Sequence, residues 1–322
     1  MKGVNNSVIL LKKENNAIIR VFMISDFYKY PPGYADLKSK IEALKEAYPF
    51  IKTFSVGKSV LGRGIFAICL GNMKNAALYC GGVHAQEWLT TSLLMYLCED
   101  LCKASKVKSE MSGIDIRRAL DNRGLIIIPL VNPDGVEIAL HGAKTAGYLE
   151  RKVLEISGGN LSEWQANARG VDINRNFNAG YNIVKRLERE NGIMGPSPCR
   201  YGGPTAESEP ETRSLCRVCT SFNIRQVISF HSQGEEIYYK YGPNTPTRSK
   251  VIAEMLANSS GYNICVPETL ASHGGFKDWF IEKFRRPGFT IEIGRGKNPL
   301  PIEELNPIYS RLIEMLILGF LI

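Results

Sequence analysis

Apolar and polar positions along this chain follow two periods, and the change from one to the other marks its elements. Short apolar runs recur at residues 65–70, 76–80, 125–130, 224–230 and 289–293, most of them flanked by glycine, proline or asparagine. Runs of that length between turn residues predict buried strands. Residues 51–57 and 235–240 read as further strands, and Leu61-Gly62-Arg63-Gly64 supplies the turn that closes a hairpin between 51–57 and 65–70. A weaker strand pattern occupies 17–23. Other segments carry apolar residues at helical spacing. Leu37, Ile41, Leu44 and Tyr48 predict a helix over 36–48, and Leu93, Leu94, Leu97 and Leu101 another over 89–101. Further helices are expected at 113–120, 247–258 and 301–322, with a short one opened by Gly274, Gly275 and Trp279. Ser208-Glu209-Pro210-Glu211 reads as a capping box that starts a helix running to about residue 222. Residues 136–170 and 178–206 show no period and read as long irregular segments, which in a compact domain are functional or disordered.

Strands that alternate with helices imply an α/β fold: a single domain whose mixed, mostly parallel twisted sheet carries helices on both faces. Pro31-Pro32-Gly33 separates an N-terminal extension, residues 1–30, from the main domain at 31–322. A chain of 322 residues, 44% of them hydrophobic, can bury one large core. No apolar stretch reaches the roughly 18 residues of a membrane span. The first 20 residues lack the apolar core and cleavage site of a secretory signal, which predicts a cytoplasmic enzyme. The eight cysteines fit that compartment. Cys98 and Cys102 share a helix face, and the single Cys-x-x-Cys pair, Cys216 and Cys219, has no second pair and no nearby histidine, so reduced core thiols are the expectation. A net charge of +8 suits an anionic partner. Without a Lys/Arg run of five or more, an acidic small substrate is favoured over nucleic acid. Nothing in the pattern sets an oligomeric state.

His84 and Glu87 sit where the 76–80 strand hands over to a helix, a place where α/β sheets present ligands. An imidazole and a carboxylate three residues apart can close on one zinc ion, whose nitrogen and oxygen ligands lie at about 2.0–2.2 Å. The pair reads equally as a helix start with Glu87 at the positive end of the dipole. Of the four histidines, His231 ends a buried strand and precedes the polar loop Ser232-Gln233-Gly234. Added to His84 and Glu87 it makes three protein ligands, the number that leaves a catalytic zinc an open position. Glu292 lies in the apolar strand 289–293, where an unpaired carboxylate costs several kcal/mol, so it must face a cleft, a cation or a basic neighbour such as Arg295. Asp172, Asn174 and Asn176 alternate along what reads as an extended stretch, with Arg175 as a rigid fork for a carboxylate.

Five motifs in order, His84-x-x-Glu87, Asn132-Pro133-Asp134-Gly135, Gly170-Val171-Asp172-x-Asn174-Arg175-Asn176, Ser229-Phe230-His231-Ser232 and Thr290-Ile291-Glu292, resemble the zinc metallocarboxypeptidase family over roughly residues 31–300. The resemblance implies one Zn2+ held by His84, Glu87 and His231, with Glu292 as general base and acid. It implies that Asn174 and Arg175 hold a substrate carboxylate and that Asp172 orients His84. Three longer stretches, 164–172, 203–211 and 286–300, are most similar to bacterial γ-D-glutamyl-L-diamino-acid peptidases, which cut peptidoglycan stem peptides before a residue such as meso-diaminopimelate. That likeness implies an anionic peptide substrate.

The chain departs from pancreatic-type relatives. Gln86 and Gln165 stand where those carry arginines, the second of which polarises the scissile carbonyl. Arg169 is the nearest replacement. The position of their substrate-covering tyrosine falls at Leu270. The same alignment sets Lys277 at the base of the specificity pocket, where it would pair with an acidic side chain such as the second carboxylate of diaminopimelate, or else stand as a solvated helix lysine. Two rival readings remain: a zinc carboxypeptidase releasing C-terminal residues, and a non-catalytic peptide- or wall-binding protein. Retention of His84, Glu87, His231 and Glu292 argues against the latter.

Overall fold

Strands made almost wholly of apolar residues need cover on both faces, and the helices of this chain supply it. A computed structural model describes residues 26–266 and 273–322; the strand expected at 17–23 and the position of Leu270 lie outside the described residues. Helix α1 (Tyr34–Ala47) leads into the hairpin β1 (Lys52–Lys58) and β2 (Gly64–Gly71), and β3 (Ala76–Cys80) delivers the chain to α2 (Trp88–Val107). A short ribbon, β4 (Glu110–Met111) and β5 (Ile114–Asp115), precedes α3 (Ile116–Asn122) and β6 (Gly124–Ile128). Then come α4 (Pro133–His141), α5 (Glu150–Ser157), α6 (Tyr181–Glu190), α7 (Pro210–Ser221) and β7 (Ile224–His231). The chain closes with β8 (Glu236–Tyr238), α8 (Arg248–Ser260), β9 (Asn263–Ile264), α9 (Phe276–Phe284), β10 (Gly288–Glu292) and α10 (Leu305–Leu321).

Eight strands form one sheet in the order β1-β2-β6-β3-β7-β10-β8-β9. Its centre, β6-β3-β7-β10, is parallel throughout, while the hairpin side and the β10–β8 pair are antiparallel. Successive side chains of a strand point to opposite faces. Tyr79, Ile127, Ile228 and Ile291 accordingly enter a core shared with α1, α2, α8 and α10. Leu78, Ile126 and Val227 enter another beneath α7 and α9. Packing also extends before the Pro31-Pro32-Gly33 break: Phe27 is buried, and the Tyr28 hydroxyl donates to Glu99 Oε2 at 2.9 Å. No described helix is long and apolar enough to cross a membrane.

The segments read as irregular, 136–170 and 178–206, contain α4, α5 and α6. Asn132 Oδ1 accepts from Gly135 N at 2.9 Å and Pro133 occupies the first turn, so α4 begins on a cap and a proline rather than on an apolar period. Gly135 is no helix breaker: a Cβ there would lie 2.4 Å from the Ala166 carbonyl oxygen, so close packing demands glycine. Helix α6 is half charged and buries only Val184 and Glu188, too little for a recognisable stripe. The capping box expected at Ser208 does not form. Helix α7 starts one residue later, with Glu209 as its N-cap, and Ser208 Oγ donates instead to Glu209 Oε1 at 2.9 Å.

Candidate metal centre

Strands β3 and β7 are parallel neighbours, so their carboxyl ends open on the same side of the sheet. Beyond β3 the chain turns through Gly81 and Gly82 to His84 and enters α2, while β7 ends on His231 itself. Glu87 is the N-cap residue of α2, but its carboxylate makes no capping bond. It faces the two histidines instead: Oε1 lies 2.9 Å from His84 Nδ1 and Oε2 lies 3.0 Å from His231 Nδ1. The two Nδ1 atoms are 3.3 Å apart. Among the described residues, these three side chains form the one such cluster able to hold a metal ion, with ligand atoms all within 4.8 Å of one another.

The opposite edge of each ring is held. His84 Nε2 lies 3.2 Å from Asp172 Oδ1, and His231 Nε2 lies 3.0 Å from Ser229 Oγ. Asp172 already accepts from Asn174 N and Arg200 N, both at 3.0 Å, so it stands as a carboxylate and takes the His84 Nε2 proton. With Asp172 and Ser229 engaging Nε2 of the two rings, each Nδ1 is left facing the other ring and Glu87. The two nitrogens and the two Glu87 oxygens crowd one point, and that arrangement calls for positive charge among them, as protons or as a metal ion. Two imidazoles, a carboxylate and outer partners that fix the ring orientation are a donor set that fits zinc.

The electrostatics agree. Burial pulls the His84 pKa down, but Glu87 and Asp172 outweigh it and hold it well above the ordinary histidine value. Burial pushes Glu87 up, yet His84 and His231 bring it down to about 2. Asp172 likewise falls to about 2: desolvation is outweighed by His84, with Arg175 and the Arg200 amide adding to the effect. The site stabilises positive charge at its centre.

Glu292 ends β10 directly beside His231, its register partner on β7, and opposite Glu236 on β8. Desolvation pushes its pKa well above the usual carboxylate range, Glu87 and Glu236 push it further, and His84 offsets only part of this. Arg295, the basic neighbour weighed from sequence, pairs with Glu235 Oε2 at 2.7 Å. Among the described residues Glu292 has neither hydrogen bond nor ion pair. A carboxyl with a strongly perturbed pKa beside a metal site marks a functional group.

The stretch after Asp172 is not extended. Residues Ile173–Arg175 form a short 3-10 turn, because Asp172 Oδ1 takes the Asn174 amide and folds the chain back on itself. The turn keeps Asn174 and Arg175 next to Asp172, and the Asn174 side-chain Oδ1 accepts from Phe276 N at 3.1 Å. Asn176 is buried away from the site, its side chain binding Gly202 O, Thr205 O and the Glu209 amide. Asn132 links the halves of the centre through Val83 O and Ala166 O, both at 3.2 Å. Gln86 is turned inward onto Ser162 O. Arg169 is half-exposed, its guanidinium 3.5 Å from Glu209 Oε2. Lys277 is 6% exposed, which rules out the solvated-lysine reading. Its ammonium pairs with Asp278, donates to Lys240 O at 3.1 Å and sits 5.7 Å from the Tyr241 ring centre. Sequence reasoning assigned no part to Ser229, Glu236 or Tyr241. Ser229 was within reach, since a serine two residues before His231 on one strand shares its face.

An open α/β sheet with a His–Glu–His cluster and an unpaired carboxyl at its strand ends defines a metal-dependent hydrolase. The zinc carboxypeptidase family profile matches residues 37–315, and the chain belongs to that family. It is a zinc metallopeptidase. It is 34% identical over 288 residues to gamma-D-glutamyl-L-diamino acid endopeptidase 1 of Lysinibacillus sphaericus, covering 89% of this chain and 71% of that protein. It is 32% identical over 281 residues to the uncharacterized protein YqgT of Bacillus subtilis (strain 168), covering 85% of this chain and 73% of the relative. Among solved structures, thrombin activatable fibrinolysis inhibitor superposes with a TM-score of 0.71 at 21% identity, over 92% of this chain and 75% of that one, and shares the fold.

Proposed function

We propose that this peptidase hydrolyses the amide joining the side-chain carboxyl of D-glutamate to a diamino acid, meso-diaminopimelate, in peptidoglycan stem peptides. The observation that carries the chemistry is the convergence of His84 Nδ1, His231 Nδ1 and Glu87, with the unpaired Glu292 one strand away. A zinc ion held by His84, Glu87 and His231 supplies the Lewis acidity that amide hydrolysis needs. Asp172 and Ser229 keep both Nδ1 atoms directed inward. Glu292, next to His231 and without a hydrogen bond or ion pair among the described residues, takes a proton from the attacking water and returns it to the departing amine.

Asn174 and Arg175, on the turn next to Asp172, anchor the terminal carboxylate of the diamino acid. Arg169 is the residue that polarises the scissile carbonyl: its single contact at 3.5 Å leaves the half-exposed guanidinium able to swing inward. Lys277 meets the second carboxylate of the diamino acid. The bond preference itself rests on the likeness to the Lysinibacillus sphaericus enzyme. Residues 31–322 act as the catalytic unit, and the setting is cytoplasmic, a reading supported by eight cysteines that stand as free thiols.

The test is incubation of the zinc-loaded protein with L-Ala-γ-D-Glu-meso-diaminopimelate, followed by mass spectrometry, with a chelated control. Metal-dependent release of free diaminopimelate is expected. An intact tripeptide, alongside release of C-terminal residues from ordinary α-linked peptides, would replace this reading with that of a carboxypeptidase.

A further inference from the structure

His231 and Glu292 end neighbouring parallel strands in register, and both chains then leave the sheet as loops. Two backbone bonds extend the pairing a little way: Ile293 N donates to His231 O at 2.7 Å, and Gly234 N donates to Gly294 O at 2.9 Å. Two side-chain bonds then close the loops on one another. Ser232 Oγ donates to Asn298 Oδ1 at 2.7 Å, and Asn298 Nδ2 donates to Ser232 O at 2.6 Å. Ser232 is buried and Asn298 half-buried, so the clamp is partly shielded from solvent.

The clamp joins the residue after the third metal ligand to a residue six beyond the base. Its significance comes from what Glu292 lacks. Among the described residues no hydrogen bond or ion pair fixes the carboxyl, so its place over the metal cluster is set by the backbone of β10 and the loop that follows. An error of about 1 Å in the placement of a reacting group can cost about 100-fold in rate. Asparagine is the residue for this task because one amide offers both an acceptor and a donor; aspartate keeps the first and lacks the second.

We infer that Asn298, through its reciprocal bonds to Ser232, is a positioning residue that holds Glu292 in register with His231. The inference rests on the assignment of Glu292 as base, and it does not depend on which peptide is the substrate. It also gives the long 286–300 motif a physical purpose: the segment must return from Glu292 to the His231 loop and present an amide there.

The test uses the zinc-loaded protein and its Asn298→Ala and Ser232→Ala variants. Turnover is measured on whichever amide substrate the wild type cuts, together with zinc affinity by chelator competition and amide hydrogen exchange by mass spectrometry. Asn298→Ala should lower kcat roughly 10- to 100-fold with KM within about twofold and zinc affinity unchanged. Exchange at the amides of Ile293 and Gly234 should rise. Ser232→Ala, which keeps the bond to the backbone carbonyl, should show a smaller loss of the same kind and covers the case in which the first variant folds poorly. A wild-type kcat in both variants, a kcat loss matched by an equal loss of zinc affinity, or unchanged exchange at Ile293 and Gly234 would overturn the inference. Failure of the wild type to cut the γ-D-glutamyl peptide would count against the proposed substrate alone, since the exchange readout needs no turnover.

Discussion

Glu211 offers a quantitative check on the buried polar network behind the metal centre. Its carboxyl lies in the first turn of α7, fully buried, with Oε1 accepting from Val60 N at 3.0 Å and Oε2 facing Asn167 Nδ2 at 3.3 Å. Desolvation raises its pKa from 4.5 to about 7; the carboxylates of Asp134 and Glu209 add to the rise, and hydrogen bonds from backbone amides oppose it. Because the folded value lies above the unfolded one, the protonated form stabilises the fold. That contribution is complete below about pH 4.5 and is lost as the pH rises through about 7. At ~1.36 kcal/mol per pH unit, the gap corresponds to roughly 3 kcal/mol. Glu211→Gln keeps an acceptor for Val60 and cannot ionise. Losing the acceptor for Asn167 costs the variant a pH-independent amount, so its Tm relative to the wild type should rise by on the order of 5 °C between pH 5 and pH 8 for a chain of this size. Thermal scans of both proteins from pH 5 to 8 provide the assay, and histidine titrations common to the two cancel in the difference. A Tm difference that stays flat across this range would show that Glu211 ionises without cost, and the account of the network would be wrong.

Other substitutions address the site directly. Glu292→Gln should retain zinc by metal analysis while turnover falls about 10²- to 10⁴-fold; full activity would remove Glu292 from the mechanism. Asp172→Asn and Ser229→Ala each release the outer edge of one ligand ring, so zinc affinity by chelator competition should fall about 10- to 100-fold. Unchanged affinity would mean the rings are oriented by other groups. Lys277→Ala should lessen the preference for diaminopimelate- over lysine-containing peptides in competition assays, and an unaltered ratio would dissociate Lys277 from the substrate.

The central strands were legible because burial on both faces leaves an almost unbroken apolar run, as in Leu125 to Ile128. The His84–Glu87–His231 cluster was legible because both histidines follow such runs, where the parallel topology brings them together. Elements stabilised by single bonds rather than by a period were not. Helix α6 is tied down where Gly202 N donates to Glu188 Oε1 at 2.7 Å, and no pattern within 178–206 announces that contact. Asn298 is similar: its partner, Ser232, is 66 residues away, and a Gly/Pro-rich motif gives no hint of it.

Lys277 shows a different limit, because its partner is the next residue in the chain. Side chains at i and i+1 of a helix do not ordinarily face each other. At the first turn of α9, however, Asp278 reaches back to accept from Gly275 N at 3.3 Å, and its other oxygen meets the Lys277 ammonium. A substrate carboxylate reaching Lys277 would therefore compete with one already present. If Lys277 lies at the base of the specificity pocket as proposed, that floor is an ion pair rather than a bare positive charge, and a side chain with only a carboxylate would have to displace Asp278 from the ammonium. The far end of diaminopimelate carries an ammonium as well as a carboxylate and can answer both members of the pair. The proposed preference for the diamino acid over a simple acidic residue would follow from this arrangement, and the competition assay on Lys277→Ala should include a glutamate-terminated peptide. Loss of discrimination against that peptide, rather than loss of binding alone, is the outcome the ion pair requires.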